Sequence, residues 1–134
     1  MSSSEVLQNL EIEGRAGSFF IPTVSFNANT GVCSIEGESY LENTWEFYSN
    51  LVNWLKRYSE QEPKRPVTLN FKLLYFNTSS SKGILDVLKC LKAHKASGGE
   101  LTINWFYPED DDDNVAEAED FMADTDLPMT LIPY

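Results

Sequence analysis

The chain has 134 residues, 42% of them hydrophobic and 13% aromatic, which predicts one folded domain around a single core. Its formal net charge of −11 repels nucleic acid and anionic membrane surfaces, which argues against both as partners. No apolar run approaches the ~20 residues that span a bilayer, so membrane insertion is not expected.

The N-terminus and the cysteines indicate the compartment. Met1–Glu5 has neither the cationic start nor the apolar core of a secretory signal. Cys33 and Cys90 stand alone, without a CxxC motif or an adjacent histidine. They are therefore expected to be free thiols in a reducing cytoplasm.

The first part of the chain predicts a lead-in and a hairpin. Residues 1–17 are rich in serine, glutamate and glycine and are expected to form a loose lead-in to a single domain over 18–134. Strand signals follow over Ser18–Asn27, interrupted at Pro22, and over Val32–Gly37. A turn separates them, which predicts an antiparallel pair.

A first helix is predicted to open after Asn43, a favourable N-cap, with Glu46 placed to complete a capping box. Two adjacent apolar stripes follow at helical spacing: Trp45, Tyr48, Val52 and Leu55, then Phe47, Leu51, Trp54 and Tyr58. This apolar surface is wider than one buried face requires. Either both stripes belong to the core, or part of the second stripe is a docking surface.

The centre of the chain is an apolar strand, Val67–Phe76, followed by the polar turn Asn77–Ser81 and an amphipathic helix from about Ser80. The continuous apolar run Phe71–Phe76 predicts a central strand that is covered on both faces. The first turn of the helix leaves backbone N–H groups unpaired, and together with the helix dipole they favour negative charge. A hydroxyl at this turn either caps the helix or carries a phosphate.

The C-terminal part alternates between strand and helix. Glycines after Ser97 end the second helix, and a strand is predicted over Glu100–Tyr107. A third helix is expected over about 114–123, with Val115, Ala118 and Met122 inward, and then a strand over Leu127–Ile132. The order β-β-α-β-α-β-α-β predicts an α/β domain with a mixed sheet of about five strands and about three helices.

The sequence lacks the motifs of an enzyme or of a cofactor site. It has no GxSxG elbow, no GxGxxG and no P-loop. The single histidine, His94, is expected to be a surface residue rather than a catalyst. The run Glu109–Asp113 fails the EF-hand template, because Val115 and Phe121 occupy its glycine and glutamate positions. This run is either a solvated loop before a helix or a metal site.

Three segments together resemble the SiaC family of bacterial regulatory phosphoproteins. They are Tyr40-Leu41-Glu42-Asn43, Leu74-Tyr75-Phe76-Asn77-Thr78-Ser79-Ser80 and Trp105-Phe106-Tyr107-Pro108-Glu109-Asp110. Leu41 departs from the pattern, which usually has proline there. The resemblance covers about residues 18–132 and implies a STAS-like fold, the fold of anti-sigma-factor antagonists.

The resemblance implies a partner-switching regulator without enzymatic activity or cofactor. The phosphorylated threonine of the family corresponds to Thr78, and Asn77, Ser79, Ser80 and Lys82 are expected to contribute to partner binding. The implied partners are a protein kinase, a PP2C-type phosphatase and an effector such as a diguanylate cyclase, which would place the chain in cyclic di-GMP signalling. The alternative is an anion- or metal-binding domain that uses the helix N-terminus at Thr78 or the acidic loop 109–113.

Overall fold

A computed structural model describes residues 6–134 as one mixed sheet of six strands with a layer of three helices. The strands are β1 (Leu10–Ile12), β2 (Thr23–Phe26), β3 (Val32–Ser39), β4 (Val67–Phe76), β5 (Leu101–Tyr107) and β6 (Thr130–Pro133). The helices are α1 (Thr44–Ser59), α2 (Thr78–Ala96) and α3 (Asp112–Thr125). Within this described part of the chain, no helix is long and apolar enough to cross a membrane.

The strands lie in the sheet in their order along the chain, β1 to β6. The first three are antiparallel neighbours, and β3, β4, β5 and β6 are parallel neighbours. Each crossover therefore leads to the next strand in the same direction, and right-handed crossovers place all three helices on one face. The packing of α1 on α2, and of α2 on α3, agrees with this arrangement.

The predicted α/β class and mixed sheet are confirmed, but the expected strand number of about five is corrected to six. The additional strand is β1, which pairs with β2 from within the segment that was expected to be a loose lead-in. Leu7 in that segment is also buried, whereas residues 1–5 lie outside the described part. The predicted strand before Pro22 is reduced to isolated bridges, such as that between Phe20 and Tyr40.

Strand β4 is central, as predicted, but the expectation that it is covered on both faces is wrong. Its helix-facing residues Val67, Leu69, Phe71 and Leu73 are buried, and the alternate residues Thr68, Asn70 and Lys72 are only half-buried. Leu74 and Tyr75, near its C-terminal end, are about half exposed. The cause is the one-directional strand order, which leaves the second face of the parallel strands without a helix.

Two predictions about helical side chains are also corrected. His94 is buried, not a surface residue, because α2 places it against Ser59 of α1 and the chain at Gly99. In α3, Ala118 is buried as predicted, but Val115 and Met122 are half-buried. The buried face of α3 is shifted by one residue and contains Asn114, Phe121 and Thr125.

Candidate functional site

The carboxyl ends of β3 and β4 lie side by side, because Ser39 pairs with Phe76 in the parallel register. Helix α1 begins five residues after β3, and α2 begins two residues after β4. The N-termini of both helices therefore meet at the same edge of the sheet, the usual location of sites in α/β folds. The two helix ends are in direct contact through the Thr44 and Ser79 hydroxyl oxygens, which are 3.0 Å apart.

The turn between β4 and α2 is fixed by Asn77, which is the N-cap of α2. Its side-chain oxygen accepts hydrogen bonds from the Ser80 amide, at 3.0 Å, and from the Ser79 hydroxyl, at 3.2 Å. The backbone amide of Asn77 donates to the Ser39 carbonyl at 3.2 Å. Helix α2 consequently starts at Thr78, two residues before the predicted start. Thr78 is the first helical residue and not the cap.

Beneath the turn, a buried chain of hydroxyl groups joins α1, β3 and α2. The Ser39 hydroxyl lies 2.7 Å from the Tyr48 hydroxyl and donates to the Ser80 hydroxyl, also at 2.7 Å. The Ser80 hydroxyl in turn donates to the Ser39 carbonyl at 2.9 Å. Ser39 and Ser80 are fully buried, and Tyr48 is 2% exposed. We call these three residues the hydroxyl network.

The protons of the hydroxyl network can be assigned because each hydroxyl has only one to donate. Ser80 donates to the backbone and Ser39 donates to Ser80, so Tyr48 donates to Ser39. Burial raises the pKa of Tyr48 to about 12, although the neighbouring hydroxyl groups of Ser39 and Ser80 act in the opposite direction. The phenol is therefore protonated at neutral pH and remains a donor.

The turn also has support from α3. Phe76, the residue before Asn77, packs against Trp105 and Phe121, with ring centroids 6.0 and 5.9 Å apart. The buried Asn114 accepts a hydrogen bond from the Trp105 indole at 2.6 Å and donates to the Leu73 carbonyl at 2.9 Å. The hydroxyl network holds the end of β4 from the side of β3 and α1, and these contacts hold it from the side of β5 and α3. Together they fix the position of the first residue of α2.

The outer surface of the turn presents Thr78, Ser79 and Lys82, all of which are exposed. Lys82 lies four residues after Thr78 on the same helical face, so its side chain can reach the Thr78 position. The first turn of α2 contains no acidic residue, whereas the first turns of α1 and α3 do. The positive end of the α2 dipole is consequently not compensated by a carboxylate of its own.

Of the five site residues predicted from the sequence, four are placed where a partner can reach them and one is not. Thr78, Ser79 and Lys82 are exposed, and Asn77 is half-buried. Ser80 is fully buried, so its side chain holds the turn from inside and does not form part of the outer surface. The expectation that Ser80 meets a partner is corrected accordingly.

A groove of about 700 Å³ runs from this turn along the seam between α1 and α2. Its lining includes Trp45, 78% exposed, at one end and Ala93 at the other. Gly83 lies in its wall against the Tyr48 ring, where an added methyl group would overlap the ring. The exposed aromatic of α1 is Trp45 of the first stripe. In the second stripe Leu51, Trp54 and Tyr58 are buried and Phe47 is half-buried.

The acidic run Glu109–Asp113 leads into α3 and provides its N-cap and the first residues of its first turn. Asp111 is the N-cap, and its carboxylate accepts the Asn114 amide at 3.1 Å, while Asp112 and Asp113 occupy the first turn. Carboxylates in these positions are stabilised by the helix dipole. Within residues 6–134, no group of three or more histidine, cysteine, aspartate or glutamate side chains is arranged to hold a metal ion.

Sequence reasoning overlooked Ser39, Thr44 and Gly83 and assigned Tyr48 to an apolar stripe. Sequence signals were present for two of these residues, Ser39 and Gly83. Ser39 occupies the inward-facing position of the alternation that includes Cys33 and Ile35, and a polar residue there requires a buried hydrogen-bond partner. A glycine inside a helix, such as Gly83, commonly marks a close approach of another element.

The family model for the SiaC family regulatory phosphoprotein matches residues 15–134. The chain belongs to the SiaC family. An uncharacterised protein of Pseudomonas aeruginosa strain UCBPP-PA14 is 29% identical over 125 residues, which cover 93% of this chain and 96% of the relative.

Two solved SiaC structures share the fold. The crystal structure of apo-SiaC from Pseudomonas aeruginosa is 32% identical, with a TM-score of 0.80, and the match covers 92% of this chain and 98% of the other. A chain in the crystal structure of the diguanylate cyclase SiaD in complex with its activator SiaC, from the same bacterium, is 28% identical. That match has a TM-score of 0.81 and covers 92% of this chain and 100% of the other.

Proposed function

We propose that this member of the SiaC family is a non-enzymatic regulator whose binding to an effector protein is controlled by reversible phosphorylation of Thr78. The observation that carries the proposal is an exposed threonine at the first position of α2, on a turn that the hydroxyl network holds from below. The chain's membership in a family of regulatory phosphoproteins supports phosphorylation as the modification.

The geometry favours Thr78 over the neighbouring hydroxyl groups as the acceptor. Ser80 is fully buried, and its hydroxyl proton is used for the Ser39 carbonyl, so a kinase would have to unfold the turn to reach it. Ser79 is exposed, but its hydroxyl bonds to Asn77 and contacts Thr44. Thr78 is the exposed hydroxyl at this turn that can be modified without breaking one of these contacts.

A phosphate on Thr78 would meet favourable surroundings in this structure. It would lie at the positive end of the α2 dipole, where the first turn has no competing carboxylate. Lys82, one helical turn further on, would supply a cation. The added charge of about −2 would therefore be held at the surface, and a partner at this turn would face a changed group.

We infer that the effector is a protein of the diguanylate cyclase class, and that a protein kinase and a PP2C-type phosphatase set the state of Thr78. The support for the effector is the solved complex of a SiaC relative with a diguanylate cyclase. The two free thiols, Cys33 and Cys90, fit a reducing cytoplasm as the place of action. The alternative of a metal-binding domain has no ligand cluster to support it within residues 6–134.

The modification itself is tested by mass spectrometry. The protein is incubated with ATP and a candidate protein kinase of the same organism, and the phosphorylated residue is mapped by fragmentation. The proposal predicts one phosphate on Thr78, its loss in Thr78→Ala, and its retention in the matched control Ser79→Ala. Phosphate on Ser79 or elsewhere in the chain, with Thr78 unmodified, would refute the assignment.

A further inference from the structure

The groove between α1 and α2 differs in charge from the rest of the molecule. Three lysines, Lys56, Lys82 and Lys89, line it together with a single carboxylate, Asp86. All four side chains are exposed. On a chain whose net charge is −11, this groove is thus a local cationic surface.

The groove is also long and apolar along its floor. On α1 its lining extends from Thr44 to Lys56, and on α2 from Ser79 to Ala93. At a rise of 1.5 Å per residue these spans are about 18 and 21 Å, the length of a helix of about 13 residues. The floor includes the half-buried Val52, and the exposed Trp45 stands at its end beside the Thr78 turn.

We propose that this groove binds an amphipathic α-helix of a partner protein that carries carboxylates along both sides of its apolar stripe. An apolar floor between two helices accepts the apolar face of a third, as in helix-in-groove recognition. The lysines on the rim favour a negatively charged helix, because a basic helix would meet like charges there. Trp45 serves as the aromatic anchor at the end of the groove.

This inference rests on the proposed function, because it describes the partner surface that continues from the Thr78 turn. It adds two claims that the phosphorylation proposal does not contain. The contact extends to Lys56 and Lys89, several turns away from Thr78, and the partner segment is acidic. Both claims can be tested without any phosphate.

The test uses two synthetic helical peptides of about 14 residues, the length that fills the groove. Both have leucine on one face, and the remaining positions are glutamate in one peptide and lysine in the other. Fluorescence anisotropy measures their affinity for the full chain and for the double variant Lys56→Glu, Lys89→Glu. Lys92→Glu is the control, because it reverses one charge on α2 outside the groove lining, whereas the double variant reverses two charges within it.

The expected result is binding of the acidic peptide, a loss of about tenfold in the double variant, and a change below about twofold in Lys92→Glu. Higher salt is expected to weaken this binding. Equal binding of both peptides, no binding of either, or an unchanged affinity in the double variant would overturn the inference. Any of these results would leave the proposed function intact, since that stands or falls on Thr78 in the mass-spectrometric experiment.

Discussion

The hydroxyl network makes a quantitative prediction about how the two helices are joined beneath the Thr78 turn. Ser39→Ala removes the acceptor of the Tyr48 proton, and the phenol is 2% exposed, so it loses its partner without gaining water. An unsatisfied buried donor costs about 1–3 kcal/mol. Tyr48→Phe is milder, at about 0.5–1.5 kcal/mol, because Ser39 still donates to Ser80.

The double variant Ser39→Ala, Tyr48→Phe lacks the Tyr48 hydroxyl, so it has no buried phenol without an acceptor. We therefore expect it to be no less stable than Ser39→Ala alone, which corresponds to a coupling of about 1 kcal/mol between the two sites. Urea denaturation followed by circular dichroism gives the free energies of unfolding for all four proteins of the cycle.

A matched control uses Tyr58→Phe in place of Tyr48→Phe. The Tyr58 hydroxyl donates to the Pro66 carbonyl and has no partner in common with Ser39. Its effect should add to that of Ser39→Ala within about 0.5 kcal/mol. Additive free energies in the Tyr48 cycle as well would show that the hydroxyl groups do not act as one network.

Three further predictions concern other parts of the molecule. Burial, reinforced by the Lys64 ammonium, lowers the pKa of His94. As the pH falls, His94 therefore becomes protonated in the unfolded chain before it does in the folded one, and the free energy of unfolding should decrease below about pH 6.5. His94→Gln should flatten that part of the pH profile measured by urea titration. Gly83→Ala should destabilise the fold by about 1–3 kcal/mol in the same assay, because the methyl group overlaps the Tyr48 ring; a gain would show that helix propensity outweighs this clash. Trp45→Ala should leave the free energy of unfolding within about 0.5 kcal/mol while weakening capture of a diguanylate cyclase partner, and a large loss of stability would contradict its placement at the surface.

Local signals were sufficient for much of the fold. The bounds of β4 were predicted to the residue, because its apolar run lies between Pro66 and a polar turn. Asn43 is the N-cap of α1, as the spacing to Glu46 predicted. The start of α2 was displaced by two residues because several consecutive residues can cap a helix, and only the tertiary contacts of Asn77 select one of them.

Properties that depend on the strand order or on distant pairs were not predictable in this way. The apolar run Phe71–Phe76 suggested two covered faces, but which face the helices occupy depends on the strand order, which no local pattern encodes. The three-residue strand β1 is too short to show an alternating pattern. The contact between Ser39 and Ser80 joins residues 41 positions apart, so no local pattern identifies the two serines as partners.

The central claim, that a phosphate on Thr78 controls effector binding, is tested most directly by one affinity measurement. Unmodified protein, protein phosphorylated stoichiometrically on Thr78 and Thr78→Ala are each titrated against a candidate diguanylate cyclase of the same organism, by isothermal titration calorimetry. Thr78→Ala should fold normally, because Asn77 and not Thr78 caps α2. We predict that it binds like the unmodified protein and that the phosphorylated protein differs from both by at least about tenfold, about 1.4 kcal/mol. Equal affinities for all three folded proteins would contradict the claim and leave Thr78 as an ordinary first residue of a helix.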